Sequence, residues 1–171
     1  MILRSIKTKA LVFALLAVLG VALDQVTKWL VLQFLYPKEP PQMALIPGIL
    51  DLLYTENRGA AFGILQNKHW FFAIITVLVL GAIVYILFRM PGQSKYLPLF
   101  YTLSFIFSGA VGNFLDRLRL GYVIDFIYFK PIRFPVFNVA DILVTCATIV
   151  LIYLFIFVYK DQDLVFIKKQ S

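Results

Sequence analysis

The chain has 171 residues, of which 61% are hydrophobic, 16% aromatic and only 15% charged, and its mean hydropathy is +0.88. A soluble domain carries about 45–50% apolar and about 25% charged residues, and a short chain cannot hide such an excess in its own core, which excludes a water-soluble globule. The net charge of +7 does not point to nucleic acid, because the basic residues are scattered and flank apolar runs, as attraction to anionic lipid head groups requires.

The first element follows Arg4, Lys7 and Lys9. Ala10–Leu23 is apolar, as in the core of a cleavable signal peptide, but no small-residue cleavage site ends it. The apolar pattern resumes through Trp29, Leu30, Val31, Leu32, Phe34 and Leu35, so residues 10–35 are predicted to form one uncleaved membrane helix. Residues 37–68 start Pro-rich (Pro37, Pro40, Pro41, Pro47). A β-type run, Ile49–Thr55, then leads through a turn signal at Asn57-Arg58-Gly59 to a second apolar run, Ala60–Leu65. This pattern predicts a hairpin or small sheet at the membrane surface.

Trp70–Phe88 is a second span, 19 residues without a charge. Residues 96–115 form a third, 20 residues without a charge although they include Pro98, Gly109, Gly112 and Asn113. Residues 116–138 are rich in aromatics and contain Arg117, Arg119, Lys130 and Arg133, which fits an interfacial segment. Val139–Tyr159 is the fourth span, with Asp141 as its one charge. The expected fold is an all-α polytopic membrane protein: one domain, residues 1–171, with four transmembrane helices and a small extracytoplasmic β-hairpin or sheet. Each side of the membrane receives eight Lys and Arg, but the termini and the 89–96 connection concentrate theirs in short segments, which places both termini in the cytoplasm.

Polar residues at membrane depth are costly unless paired or facing a wet cavity, so their placement is informative. They gather at one end of the spans: Asp24 and Lys28 on the first, Asn113, Asp116 and Arg117 on the third, Asn138 and Asp141 on the fourth, with Asp125 between. Each has a plain structural alternative. Asp24 and Lys28 have the acid-before-base i,i+4 order of a neutralising ion pair. Asn138 could cap the fourth helix with Asp141 three residues on. Asp116 and Arg117 could pair with each other at the interface, His69 suits an interface position, and Cys146 reads as a small apolar packing residue. Asp125, in Gly121-Tyr122-Val123-Ile124-Asp125-Phe126-Ile127, has no charged residue nearer than Arg119 and Lys130, and burial there would raise its pKa.

One His and one Cys exclude a His/Cys zinc site, and neither a Gly-rich phosphate loop nor a Gly-x-Ser-x-Gly elbow occurs. What remains is a pair of carboxylates, Asp125 and Asp141, in a partly dry site. Two such groups close together share one proton, so one can activate water while the other protonates a carbonyl oxygen. No metal or other cofactor is expected.

Five motifs, in order along most of the chain, resemble the lipoprotein signal peptidase (signal peptidase II) family: Leu23-Asp24-Gln25-Val26-Thr27-Lys28, Asn57-Arg58-Gly59-Ala60-Ala61-Phe62, Gly112-Asn113-Phe114-Leu115-Asp116-Arg117, Gly121-Tyr122-Val123-Ile124-Asp125-Phe126 and Phe137-Asn138-Val139-Ala140-Asp141. The resemblance implies an aspartic endopeptidase of the bacterial inner membrane that cuts before a diacylglyceryl-modified Cys. By it, Asp125 and Asp141 match the catalytic pair. Asn57, Gly59, Asn113, Asp116, Arg117 and Asn138 match supporting positions, and Asp24 and Lys28 match a structural or lipid-facing motif. It also implies diacylglyceryl prolipoproteins, membrane phospholipids and the family's cyclic-peptide inhibitor globomycin as partners. Gly63 and Ser108 depart from the pattern, standing where Ser and Gly are expected. A proton-coupled transporter would use intramembrane Asp and Asn too, but usually has internal repeats. A Mg-dependent lipid phosphotransferase would need more clustered carboxylates.

Overall fold

A computed structural model describes residues 5–59 and 69–167. The element order is α1 (Ile6–Phe34), β1 (Gln42–Ile46), β2 (Leu50–Asn57), α2 (His69–Arg89), α3 (Leu97–Leu120), β3 (Val123–Phe129) and α4 (Val139–Tyr153). Among the described residues four helices are long and apolar enough to cross a membrane, α4 being prolonged to Val158 by a wider π-type turn. They carry apolar side chains outward, among them Leu19, Trp70, Leu78, Ile149 and Phe157, as lipid-facing surfaces do.

α3 is the central helix, packed against α1, α2 and α4. Small residues let it approach closely. A Cβ at Gly109 would lie 2.5 Å from the Ala140 carbonyl oxygen of α4, and one at Gly112 would lie 2.5 Å from Asp24 Oδ2 of α1. α3 begins with Pro98 in its first turn and ends at Gly121, whose φ of 77° lets its N–H close on the Arg117 carbonyl. It therefore runs past residue 115, and Asp116 and Arg117 lie within it.

At one end of the helices sits an antiparallel three-stranded sheet, β1-β2-β3. The expected sheet is present, with different partners for the Ile49–Thr55 run. Its hairpin partner is β1, from the Pro-rich stretch, joined through Gly48 at φ 77°. Its other partner is β3, from the segment expected to lie along the interface. The Ala60–Leu65 run falls outside the described residues. Leu52, Tyr54, Ile124 and Phe126 pack the sheet onto Val31 of α1 and Leu35, its C-cap. Asp51, buried on β2, ties the strands together: it accepts from Gln42 of β1 and meets Lys130, just past β3, at 2.8 Å. That ammonium holds the Asp51 carboxyl below the usual carboxylate range.

The opposite end is closed by aromatics. Tyr96 and Tyr159 stack, Tyr96 Oη donates to the Asp163 carbonyl, and Lys95 meets Asp163 at 2.6 Å.

Candidate active site

The polar residues singled out in the sequence converge where the sheet meets α1, α3 and α4. Each is brought there by a local rule. On α3, Gly109, Gly112, Asn113 and Asp116 recur at helical spacing and share a face. On α4, Asn138 is the N-cap. Its Oδ1 accepts from the Asp141 N–H at 2.9 Å, and its own N–H donates to Asp141 Oδ2 at 3.2 Å. The capping reading of this pair is therefore correct as geometry, and it holds Asp141 at the positive end of the helix. On the sheet, Thr55 faces Asp125 and Asn57 faces Val123, which makes Asn57 the diagonal neighbour of Asp125.

Asp125 and Asp141 both line one cavity of about 700 Å³. Amide groups hold each carboxylate. Asn57 Nδ2 donates to Asp125 Oδ2 at 2.9 Å and Asn138 Nδ2 to Asp125 Oδ1 at 2.7 Å. Asn113 Nδ2 donates to Asp141 Oδ1 at 2.8 Å. Gly59 follows on the cavity rim, where its N–H donates to Asn57 Oδ1 at 3.0 Å and fixes that amide. Burial, and then the neighbouring Asp141 charge, push the Asp125 carboxyl up to about 7, against the amide hydrogen bonds that favour its ionised form.

Behind this layer lies a second one with no face on the cavity. Lys28 is 2% exposed and sits 2.8 Å from both Asp24 Oδ2 and Asp116 Oδ2. The i,i+4 pair is present, and Asp116 is a third member. Asp24 also accepts the Ala140 N–H at 3.0 Å, and Asp116 accepts the Ile124 N–H at 3.2 Å, so the two carboxylates anchor α4 and β3 respectively. Asp24 and Lys28 thus face inward, which removes the lipid-facing alternative for this motif.

Two further expectations change. Asp116 pairs with Lys28 and not with Arg117, because neighbours on a helix point about 100° apart. Arg117 lies over the Phe72 ring of α2, 5.3 Å from its centroid, and lines the cavity. Cys146 is exposed and lines the same cavity, where the sequence suggested packing. Helical spacing from Asp141 reaches Thr145 at i+4, which would have flagged this wall. Sequence reasoning also passed over Gln25. Its Nε2 lies 3.0 Å from Asp116 Oδ1 and 3.2 Å from Asp24 Oδ2, and its place beside Asp24 in an apolar run was the available signal. Among the described residues no group of three or more His, Cys, Asp or Glu side chains is placed to hold a metal ion.

The arrangement offers two carboxylates with different surroundings, amide donors around them, and a cavity whose lining includes the apolar side chains of Phe134, Val136 and Ile142. That suits proton transfer and water activation on a substrate presented from the membrane.

A family model for signal peptidase (SPase) II matches residues 16–157. The chain is 44% identical over 156 residues to a lipoprotein signal peptidase of Streptococcus pyogenes serotype M5 (strain Manfredo), covering 91% of this chain and 97% of that one. Two solved structures of bacterial membrane enzymes, obtained by the in meso method, resemble it. That at 2.3 Å resolution has a TM-score of 0.75 and 34% identity over 94% of this chain and 93% of the other. That at 1.9 Å has a TM-score of 0.74 and 36% identity over 86% and 94%.

Proposed function

The chain belongs to the signal peptidase II family, and on that premise we propose that it removes prolipoprotein signal peptides with Asp125 and Asp141 as its catalytic pair. Membership makes it a multi-pass membrane protein and an aspartic peptidase of lipoprotein processing, which displaces the transporter and phosphotransferase alternatives. The observation that carries the assignment of the pair is that two carboxylates from separate elements, β3 and α4, line one cavity, each held by amide donors.

At neutral pH Asp125, buried and beside a second carboxylate, is suited to hold the shared proton. The ionised partner takes a proton from water as its oxygen attacks the scissile carbonyl carbon, while the protonated one donates to the carbonyl oxygen. Collapse of the tetrahedral intermediate breaks the C–N bond, the proton taken from water passes to the leaving amine, and a hydroxyl proton of the intermediate returns to the carboxylate that had donated, restoring the shared proton. Asn113 and Asn138 keep the carboxylates oriented, and Arg117 and Gly59 shape the rim. Fixed dipoles of this kind need no reorganisation during reaction.

The substrate reading extends to diacylglyceryl-Cys. A cavity with apolar side chains in its lining at the end of membrane-crossing helices calls for a scissile bond held at that depth on both sides. The signal peptide holds one side; two acyl chains hold the other, each buried methylene contributing about 0.8 kcal/mol. The exposed apolar belts take membrane phospholipids, and the cavity takes globomycin. Residues 1–171 act as one membrane-embedded unit in the bacterial inner membrane, with both termini cytoplasmic and the sheet outside.

The test is a matched pair of precursors in one bilayer, one with diacylglyceryl-Cys and one with unmodified Cys. The lipidated precursor is expected to be cut much faster. Equal rates would mean that the lipid is not the recognition element.

A further inference from the structure

Lys28 touches neither carboxylate of the pair, yet its ammonium ends on Asn113, which holds Asp141 directly and meets the Asn138 amide that holds Asp125. Its three N–H groups meet three acceptors: Asp24 Oδ2 at 2.8 Å, Asp116 Oδ2 at 2.8 Å and Asn113 Oδ1 at 3.0 Å. Pairing with the two buried carboxylates uses only the first two. The third is given to a neutral amide, and that amide's other end donates to Asp141 Oδ1 at 2.8 Å.

This fixes which way round the Asn113 amide sits. Turned over, its NH₂ would face the ammonium, donor against donor, and its oxygen would face the Asp141 carboxylate, acceptor against acceptor. Both contacts would become repulsive in a place where Lys28 is 2% and Asp24 0% exposed, so water cannot relieve them.

The same bond relieves a shortage at Asn138. Its Nδ2 has two hydrogens but three acceptors in reach: Asp125 Oδ1 at 2.7 Å, Asn113 Oδ1 at 3.0 Å and the Ile124 carbonyl at 3.3 Å. With Lys28 supplying Asn113 Oδ1, Asn138 is free to serve Asp125. We propose that Lys28 is a positioning residue for cleavage: by donating to Asn113 Oδ1 it sets the amide that faces Asp141 and releases Asn138 for Asp125. This rests on the assignment of Asp125 and Asp141 as the catalytic pair.

Two variants, purified in detergent and assayed on a lipidated precursor, test it. Asn113→Asp keeps an acceptor for Lys28 and Asn138 but sets an oxygen, not an NH₂, against Asp141. Its kcat is expected to fall at least about tenfold with KM within about twofold, at a near-native melting temperature. The added carboxylate should also move the basic limb of the pH profile up by about one unit. The charged groups facing it are Lys28 and Asp24 from α1, Asp116 and Arg117 on α3, Asp125 on β3 and Asp141 on α4. Lys28→Met combined with Asp24→Asn keeps the net charge of the Asp24–Lys28–Asp116 cluster, and should lose more kcat than Asp24→Asn alone.

Native kcat in Asn113→Asp, or in a folded double variant, overturns the proposal, as does a loss that only tracks the folded fraction. Should the double variant not fold, Asn113→Asp decides. Failure of the underlying assignment looks different: Asp125→Asn or Asp141→Asn would then still turn over the same precursor.

Discussion

On the proposed roles, Asp125 ties the stability of the fold to pH below about 7 and the chemistry to pH above it. Its carboxyl is held up to about 7 by burial and by Asp141, against an ordinary value of 3.8. A carboxyl raised on folding favours the fold while protonated, so its contribution is fully present below the ordinary value and is lost as pH climbs through about 7. Cleavage is therefore expected to fall as pH rises beyond about 7, and the melting temperature to fall over the approach to it. Asp125→Asn should flatten that part of the melting profile; an unchanged profile would remove Asp125 as its source. At this scale most of the candidate site was legible in the sequence, because Asp and Asn at membrane depth are expensive and each one needs a partner. The partner was the harder part. Asp116 precedes Arg117 in the chain, but the ion pair it makes crosses to Lys28 on another helix, which only packing decides.

Close approach of the elements works together with hydrogen bonds to hold the pair. Gly109 lets α3 lie against the start of α4, with the Ala140 carbonyl where a Cβ would be. Gly109→Leu should push the two helices apart, draw Asp141 away from Asn113, and cost about 1–3 kcal/mol of stability. Thermal unfolding in detergent checks the stability, and cleavage assays the site; native values in both would mean that the helices tolerate the added bulk. On α4 the cavity wall continues from Asp141 through Ile142 and Thr145 to Cys146, the chain's one cysteine. A bulky maleimide at Cys146 is expected to block cleavage, a small methylthio group much less, and bound substrate to slow labelling. Mass spectrometry alongside the activity assay reads all three. The helices were legible because long apolar runs have one solution in a bilayer. The sheet's pairing was not, since β2 takes partners from a Pro-rich stretch and from a segment more than 60 residues away, and the latter's local pattern is only aromatic.

For the whole molecule, four spans bring Asp24, Asn113, Asp125 and Asp141 together at the end that carries the sheet, and the proposed orientation sets that end outside the cytoplasm. A reporter fused after Lys68 or near Lys130 should register as extracytoplasmic, and one after Gly92 or Ser171 as cytoplasmic; the reverse pattern would contradict the charge-density argument for sidedness. The family was legible from five ordered motifs, whereas the layering of the site was not. That Asp24, Lys28 and Asp116 form an inner ion cluster behind the cavity follows only when three helices and a sheet are packed together. The central claim is that Asp125 and Asp141 perform the cleavage. Its most direct test is the single-turnover rate of Asp125→Asn and of Asp141→Asn on a diacylglyceryl precursor, each shown by its melting temperature to be folded. Each substitution keeps the shape of the side chain and removes the carboxylate, so no cleavage above background is expected from either. A near-native rate from a folded variant would take that residue out of the chemistry.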